Sequence, residues 1–436
     1  MRIGIVGGGL TGIALAYFLT RQGITVEVFE AAPELGGLAR QATLADGARV
    51  DRFYHTILAS DRRLRQLCAD LGMAESLAFS DTRMGFYHEG QIHPMDNMVD
   101  FLRFPPLRWV DRLRLGATVL HAQQVRDWQQ LERVNVQDWL IRWSGRRTFQ
   151  NIWRPLLAAK FDGSFDNTPA TYIWARLVRT KSTRSGVNQK ERAGYLPAGY
   201  VGLMEAMASR VMAAGGAIHL GAPVDKIVIH RGAAEGLQVG GRTHGFDAVA
   251  ATTALPAFRQ MIPDAGESYR RLLGQTEYMG LICPLLVLDR PLSGFWTLNI
   301  TDEAIPFTGV IETTTYIDPR WVGGRHLVYL PKYTAPGSRW QQMSDGEIRS
   351  VWLASLETMF PGLEHGAIRE FLVHREQWVE PIHGLDSSSL IPRWQTAVQK
   401  LYLVTTAQIY PALTNGESVV GHAHQCATQI VAALAS

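Results

Sequence analysis

The sequence predicts an α/β fold that opens on a βαβ unit of a parallel sheet. Three observations predict it. A continuous β-prone run, "RIGIV" (2–6), leads into a glycine-rich turn, a helical stretch and a second β-prone run, "ITVEVF" (24–29). Strand-like runs return much later, among them "LICPLLVLD" (281–289) and "HLVYLPKY" (326–333). Between the two sets lie helical segments rich in tryptophan and arginine.

Bulk properties narrow the class. At 436 residues the chain can bury a large core and is expected to divide into two domains. Apolar residues make up 46% and charged residues 19%, the balance of a globular protein. A formal net charge of +3 is too small for a nucleic-acid binder. Cys68, Cys283 and Cys426 are scattered, with no CxxC, which points to a reducing compartment and away from structural zinc or a disulfide framework. Arg2 is followed by a strand broken by three glycines, not by an apolar signal-peptide core. The longest apolar run, "GLICPLLVL" (280–288), is about half of what spans a bilayer. A cytoplasmic location is therefore expected.

The first element carries a nucleotide signal. Gly7, Gly9 and Gly12 are spaced G-x-G-x-x-G directly after the strand. Gly7 permits the tight turn, Gly9 lets the backbone approach a pyrophosphate, and Gly12 lets the helix pack closely on the strand. The helix over 10–22 points its free N–H groups and dipole at the phosphates. Glu30 ends the second strand, 18 residues after Gly12, where an acid binds the ribose hydroxyls of an adenosine. A tight turn without a ligand would leave Glu30 unexplained. A second glycine pair, Gly36-Gly37, and Arg40 follow in "AAPELGGLARQAT". Another close backbone approach beside a cation fits FAD better than NAD.

At this point the sequence resembles the FAD-dependent amine oxidase superfamily, in particular the branch that holds protoporphyrinogen oxidases, carotenoid desaturases and UDP-galactopyranose mutases. The family's glycine-pair, basic, Ser/Thr pattern reads Gly36, Gly37, Arg40 and Thr43 here, slightly shifted, with Leu38 where many members place the arginine. The resemblance runs along the chain. "GARVDRFYHTIL" (47–58) is similar to the segment under the flavin ring, which implies Phe53, Tyr54 and His55 near the isoalloxazine. "GGAIHLGAPVDKIVI" (215–229) resembles the returning strand, whose valine, Val224 here, contacts the adenine through its backbone. "LYLVTTAQIYPALTNGESVVGHA" (401–423) resembles the C-terminal flavin motif, in which a helix N-terminus, Gly416, Glu417 and Ser418 here, faces the ring. Where the family usually has Gly-Asp for the ribitol chain, this sequence has Thr405-Thr406, with fewer acceptor sites.

The resemblance implies a Rossmann-type FAD-binding domain, discontinuous over 1–80, 195–260 and 395–436. The α+β substrate domain occupies 81–194, mainly helical, and 261–394, mainly antiparallel sheet. No second G-x-G-x-x-G stands in strand–helix context, so a separate NAD domain is not expected. The stretch 101–128 breaks at Pro105-Pro106 and continues as an amphipathic helix with Leu113, Leu115 and Leu120 among Arg108, Arg112 and Arg114. It either packs on the substrate domain with a solvated basic face or touches a membrane surface. Residues 176–192 hold six basic residues and one acid, the composition of an exposed loop or of a lid for an anionic substrate. "MSDGEIRSVWLASLETMFPG" (343–362) reads as a helix capped near Ser344 and ended by Pro361-Gly362.

Three side chains are candidates for catalysis. His55 lies in the flavin-lining segment, Tyr410 between the last strand and helix, and Lys160 after an apolar run, where a salt-bridged lysine is the alternative. His422 and His424 point apart on a helix, and there is no HExxH, so no metal site is expected. The expected activity is that of an FAD-dependent oxidoreductase that removes hydride from a small organic substrate, lipophilic or acidic. Oxygen, a quinone or a carrier would accept the electrons. A redox-neutral sugar-nucleotide mutase and a dissociation-inhibitor-like binding protein are the alternatives.

Overall fold

The computed structural model describes residues 1–183 and 192–435. Its centre is a five-stranded parallel sheet. Strand β1 (Arg2–Val6) is followed by helix α1 (Leu10–Thr20) and β2 (Thr25–Phe29). After the first insertion come helix α2 (Gly199–Ala213), β3 (Ala217–His219) and β4 (Ala248–Ala251). After the second come β5 (Leu401–Leu403) and the long helix α3 (Gly416–Ala435). The strand order is β3-β2-β1-β4-β5, with every pair parallel.

Both faces of this sheet are covered, so its strands need apolar residues throughout. Ile3, Ile5, Val26 and Val28 pack with α1, α2 and α3 through Leu15, Met207 and Ile430. Val6, Phe29, Val249 and Ala251 pack on the other face against Leu237 and Phe258. These belong to the antiparallel meander Val224–His230, Ala233–Val239, Arg242–Gly245 and to the helix Leu255–Met261. At Gly4 a Cβ would stand 2.5 Å from the Phe246 ring, so the middle of β1 admits no side chain on that face.

The insertions build an eight-stranded sheet and a helical layer. The strand Tyr278–Leu288 is buried at every position and pairs antiparallel with Ile368–Pro381, His326–Tyr329 and Lys332–Thr334. The antiparallel sheet expected over 265–395 also takes in Met84–His88 from the first insertion, which lies parallel to Thr297–Ile300. Helix Asp345–Met359 starts as expected, with a Ser344–Glu347 capping box, and buries Trp352 completely. In the helical layer, Trp139, Leu140, Phe149, Leu157 and Ile173 form one cluster.

The helix Trp109–Gln124 leaves Arg108 and Arg114 exposed, but its outward side is apolar as well as basic. Arg112 turns its guanidinium onto the carbonyls of Leu102 and Phe104 (2.7 Å for the latter). Arg114 bonds to the carbonyls of Arg142 and Trp143 at 3.1 and 3.4 Å. Trp109, Leu113 and Leu120 face outward as well. The expected basic lid lies largely outside the described residues. Its first part is the end of helix Thr171–Thr183, which carries Arg176 and Arg179.

Candidate active site

A cavity of about 700 Å³ lies along the C-terminal ends of β1, β2, β4 and β5, where ligands bind in open α/β sheets, and continues toward the large sheet. Gly7, Gly9, Glu30, Gly36 and Gly37 line one end, and Tyr54, Tyr333, Trp378 and Glu380 line the other.

The glycines have distinct physical reasons. Gly7 sits at φ 109°, the left-handed side where glycine is free, and its N–H bonds to the Phe29 carbonyl at 2.9 Å. A Cβ at Gly12 would stand 1.9 Å from the Gly7 carbonyl oxygen, so α1 closes on the turn only through glycine. Gly9 is different. Its φ of −79° suits any residue, and the nearest atom to a Cβ there is Gly37 Cα at 3.7 Å. The chain itself leaves that space, at the N-terminus of α1, unfilled. Gly36 and Gly37, at φ 143° and 55°, fold the second glycine turn onto the first, with Gly36 N–H bonded to the Gly8 carbonyl at 3.0 Å.

Glu30 accepts the backbone N–H of Gly8 at 2.6 Å and of Ala32 at 2.8 Å, and it faces the cavity. Each carboxylate oxygen retains a lone pair for a ribose hydroxyl. Thr405 and Thr406 line the middle of the cavity. Thr405 is buried and spent in a reciprocal cap with Gln408, whose side-chain carbonyl accepts Thr405 N–H at 2.9 Å and faces His422 Nε2 at 3.0 Å. Thr406 has no side-chain hydrogen bond among the described residues. Gly416 lines the cavity because Tyr200 crowds it: a Cβ there would stand 2.3 Å from the phenol oxygen. These residues fit FAD. An unfilled glycine position stands at a helix N-terminus, an acid at a strand end, and an unpaired hydroxyl between them.

Phe53, Tyr54 and His55 all line the cavity. His55 Nδ1 donates to the Phe53 carbonyl at 2.8 Å, which leaves Nε2 as the acceptor. Burial depresses the pKa of His55 to about 4 against that hydrogen bond, so the ring is neutral at ordinary pH. Burial pushes the Tyr54 phenol far up, and it hydrogen-bonds Tyr333.

Several expected residues point elsewhere. Arg40 bonds to the Gly37 carbonyl at 3.2 Å and to Glu376 at 3.3 Å and does not line the cavity. Val224 opens the meander and is likewise outside the lining. Glu417 caps a different helix, Arg62–Asp70, accepting the N–H groups of Arg63 and Leu64 at 3.2 and 2.9 Å. Asp61, at that helix's own cap position, is committed to Leu58 N–H and Arg179. Ser418 offers its N–H to Asn415 Oδ1 at 3.1 Å and takes no part in the lining. Tyr410 lines a smaller neighbouring pocket and bonds to Thr171 at 2.9 Å. Lys160 is buried against Glu380 and stands 3.2 Å over the Tyr333 ring, one residue behind the cavity wall. It is a salt-bridged lysine.

Sequence reasoning missed Thr252, Thr253, Asn415, Tyr333 and Glu380, all of which line the cavity. Two signals were present: Thr252-Thr253 leave the C-terminal end of a strand of the parallel sheet, and Asn415 stands at the cap position of α3. Glu380 had no local signal. It comes from the end of the strand Ile368–Pro381 and is flanked by Lys160 and by Arg176 at 3.7 Å. Burial would raise its carboxyl, but the two cations hold it below the usual range.

A model of the family described as flavin containing amine oxidoreductase matches residues 10–416. The 15-cis-phytoene desaturase of Synechococcus elongatus is 23% identical over 391 residues, covering 83% of this chain and 80% of that one. The probable zeta-carotene desaturase of the same organism is 25% identical over 182 residues, and the chain spans only 38% of its length. An oxidoreductase from Methanosarcina mazei shares the fold, with a TM-score of 0.76 at 20% identity over 98% of this chain and 99% of that one. With a match that takes in nearly every element around the cavity, the chain belongs to the flavin-containing amine oxidoreductase family and is an FAD-dependent oxidoreductase.

Proposed function

We propose that this enzyme dehydrogenates a small organic substrate, lipophilic or acidic, at the Tyr54–Tyr333–Glu380 end of the cavity. One observation carries the reading: a single continuous cavity joins the glycine turns and Glu30 to an aromatic-walled end. Bound there, FAD supplies the hydride acceptor. The residues of this chain bind, orient and exclude water. Gly9, Glu30 and Gly37 take the adenosine and pyrophosphate half, and Thr406, Asn415 and Gly416 take the ribitol and ring half. Phe53, Tyr54 and His55 wall the ring, with His55 Nε2 as a neutral hydrogen-bond acceptor. Tyr54, Tyr333 and Trp378 give the substrate apolar contact, and Arg176 and Arg179 favour an acidic group over a cationic amine. Within this proposal the FAD-binding domain takes 1–80, 195–260 and 395–436 and the substrate domain the rest. The 101–128 segment touches a membrane surface peripherally, and oxygen, a quinone or a carrier removes the electrons.

The test is anaerobic. The protein should purify yellow, and a matching substrate should bleach its visible absorbance, with colour restored by oxygen or a quinone. A substrate converted only by pre-reduced protein, with no net bleaching, overturns dehydrogenation in favour of a redox-neutral isomerisation.

The threonine pair offers a finer expectation. Thr406→Ala should weaken FAD by about 1 kcal/mol, a few-fold in Kd, and Thr406→Asp should bind at least as well as the native chain. Titration of apoprotein with FAD reads both. Unchanged affinity in both variants removes Thr406 from the ribitol position.

A further inference from the structure

Of the twelve exposed large hydrophobic side chains among the described residues, six fall within 99–120: Val99, Leu102, Trp109, Val110, Leu113 and Leu120. Trp109 is 70% exposed, and Leu113 and Leu120 are each 61% exposed. At 3.6 residues per turn, Trp109, Leu113 and Leu120 point within about 40° of one another, and Gly116 lies in the same row. One face of a 16-residue helix is thus apolar and uncovered from Trp109 to Leu120. Its opposite face is anchored: Thr118 and Ala122 are fully buried, and the Thr118 hydroxyl meets Ser144 at 3.1 Å. Arg112, bonded to the carbonyls of Leu102 and Phe104, ties the neighbouring helix Met98–Arg103 alongside, which adds Val99 and Leu102 to the same surface.

Within the segment that forms the patch, the exposed charges have one sign. Between 98 and 124 the exposed charged residues are Arg103, Arg108 and Arg114. Asp100 and Asp111 are less exposed. The Asp100 carboxylate accepts Asp96 N–H at 3.0 Å, and Asp111 faces Arg147 at 3.8 Å. A second copy of the chain would set arginine against arginine across this face, which disfavours self-association. An amphipathic helix with tryptophan and leucine on one face and arginines at its margin is matched by a bilayer whose headgroups are negative. No helix among the described residues is long and apolar enough to cross a membrane, so the contact is with the surface.

We propose that the two-helix patch Val99–Leu120 docks on anionic lipid, with Trp109, Leu113 and Leu120 entering the headgroup boundary and Arg103 and Arg108 meeting the phosphates. The inference rests on the membrane contact proposed above and is independent of the flavin chemistry. The helix packs on Thr171–Thr183, whose Arg176 and Arg179 line the cavity, so docking would set the cavity wall one helix away from the lipid.

Vesicle flotation of the FAD-loaded full chain tests it, with phosphatidylcholine alone and with phosphatidylcholine doped with phosphatidylglycerol. The native protein should float with the doped vesicles at least about tenfold better than with the neutral ones, and salt should weaken the binding. Leu113→Glu/Leu120→Glu should lose about tenfold or more, with flavin absorbance and melting temperature unchanged. Arg103→Glu/Arg108→Glu should lose the preference for the doped vesicles. Equal binding to both compositions overturns the lipid class while membrane contact stands. Binding that survives the leucine changes overturns the patch. A native protein that floats with neither vesicle overturns the membrane contact itself, and a dimer that the leucine changes dissociate names a second copy as the occupant.

Discussion

Gly9→Val should give a folded protein that purifies without FAD. The expectation follows from what surrounds the residue. At φ −79° a β-branched side chain is unstrained, and its Cβ meets only ordinary neighbours at 3.7–3.9 Å from Gly36 and Gly37. The fold therefore tolerates the change, and the valine methyls occupy the space before the α1 N-terminus that a pyrophosphate needs. Removing two charge-assisted hydrogen bonds at that terminus costs about 3 kcal/mol or more, over a hundredfold in affinity. Gly12→Ala should behave in the opposite way. Its Cβ would stand 1.9 Å from the Gly7 carbonyl oxygen, so it should destabilise the whole domain by about 2 kcal/mol or more and lose FAD as a consequence. Thermal melts of the apoproteins separate the two: Gly9→Val should melt with the native apoprotein and Gly12→Ala well below it. A Gly9→Val protein that carries a full complement of FAD would show that the pyrophosphate lies elsewhere.

The same contrast explains how much of this molecule was legible in its sequence. The N-terminal strand, turn, helix and second strand were readable because each constraint is local. Gly7 needs its backbone angle, Gly12 its close approach and Glu30 its strand end, all within 30 residues. The helix cap near Ser344 was readable for the same reason. Legibility failed where a side chain's partner comes from far along the chain. Arg40 follows a glycine pair as a pyrophosphate ligand would, yet Glu376 from another strand claims it. Glu417 stands in the first turn of α3, yet a helix some 350 residues earlier lacks a capping side chain and takes it. The sequence showed an amphipathic helix after the Pro105-Pro106 break in 101–128 but could not say which face was covered. Packing decided it: Thr118 and Ala122 are buried and Leu115 packs on the Phe104–Leu107–Ile152 cluster, which leaves Leu113 and Leu120 outside. Glu380 was invisible because its cations, Lys160 and Arg176, come from two separate helices.

Lys160→Ala should cost about 3 kcal/mol of stability at neutral pH, more than a surface lysine contributes, because it strands a carboxylate. Lys160 is buried against Glu380 and covers the Tyr333 ring, and Arg176 at 3.7 Å is the cation that remains. Packing and charge can be separated by pH. In the native protein the two cations hold Glu380 below its ordinary range, so the pair contributes fully above the unfolded carboxyl's pKa of about 4.3 and is lost as the pH falls through the folded value. Without Lys160, burial is expected to raise the same carboxyl above its unfolded value, and the folded variant then gains stability as it takes up a proton. Between pH 7 and pH 5 only the variant's trend operates, so urea unfolding at those two values should show its deficit shrinking with acid. Glu380→Gln in the Lys160→Ala background should recover much of the loss at pH 7, since no charge is left unpaired. A deficit that stays constant with pH and is not repaired by glutamine would assign the cost to the lysine stem and its packing on Tyr333.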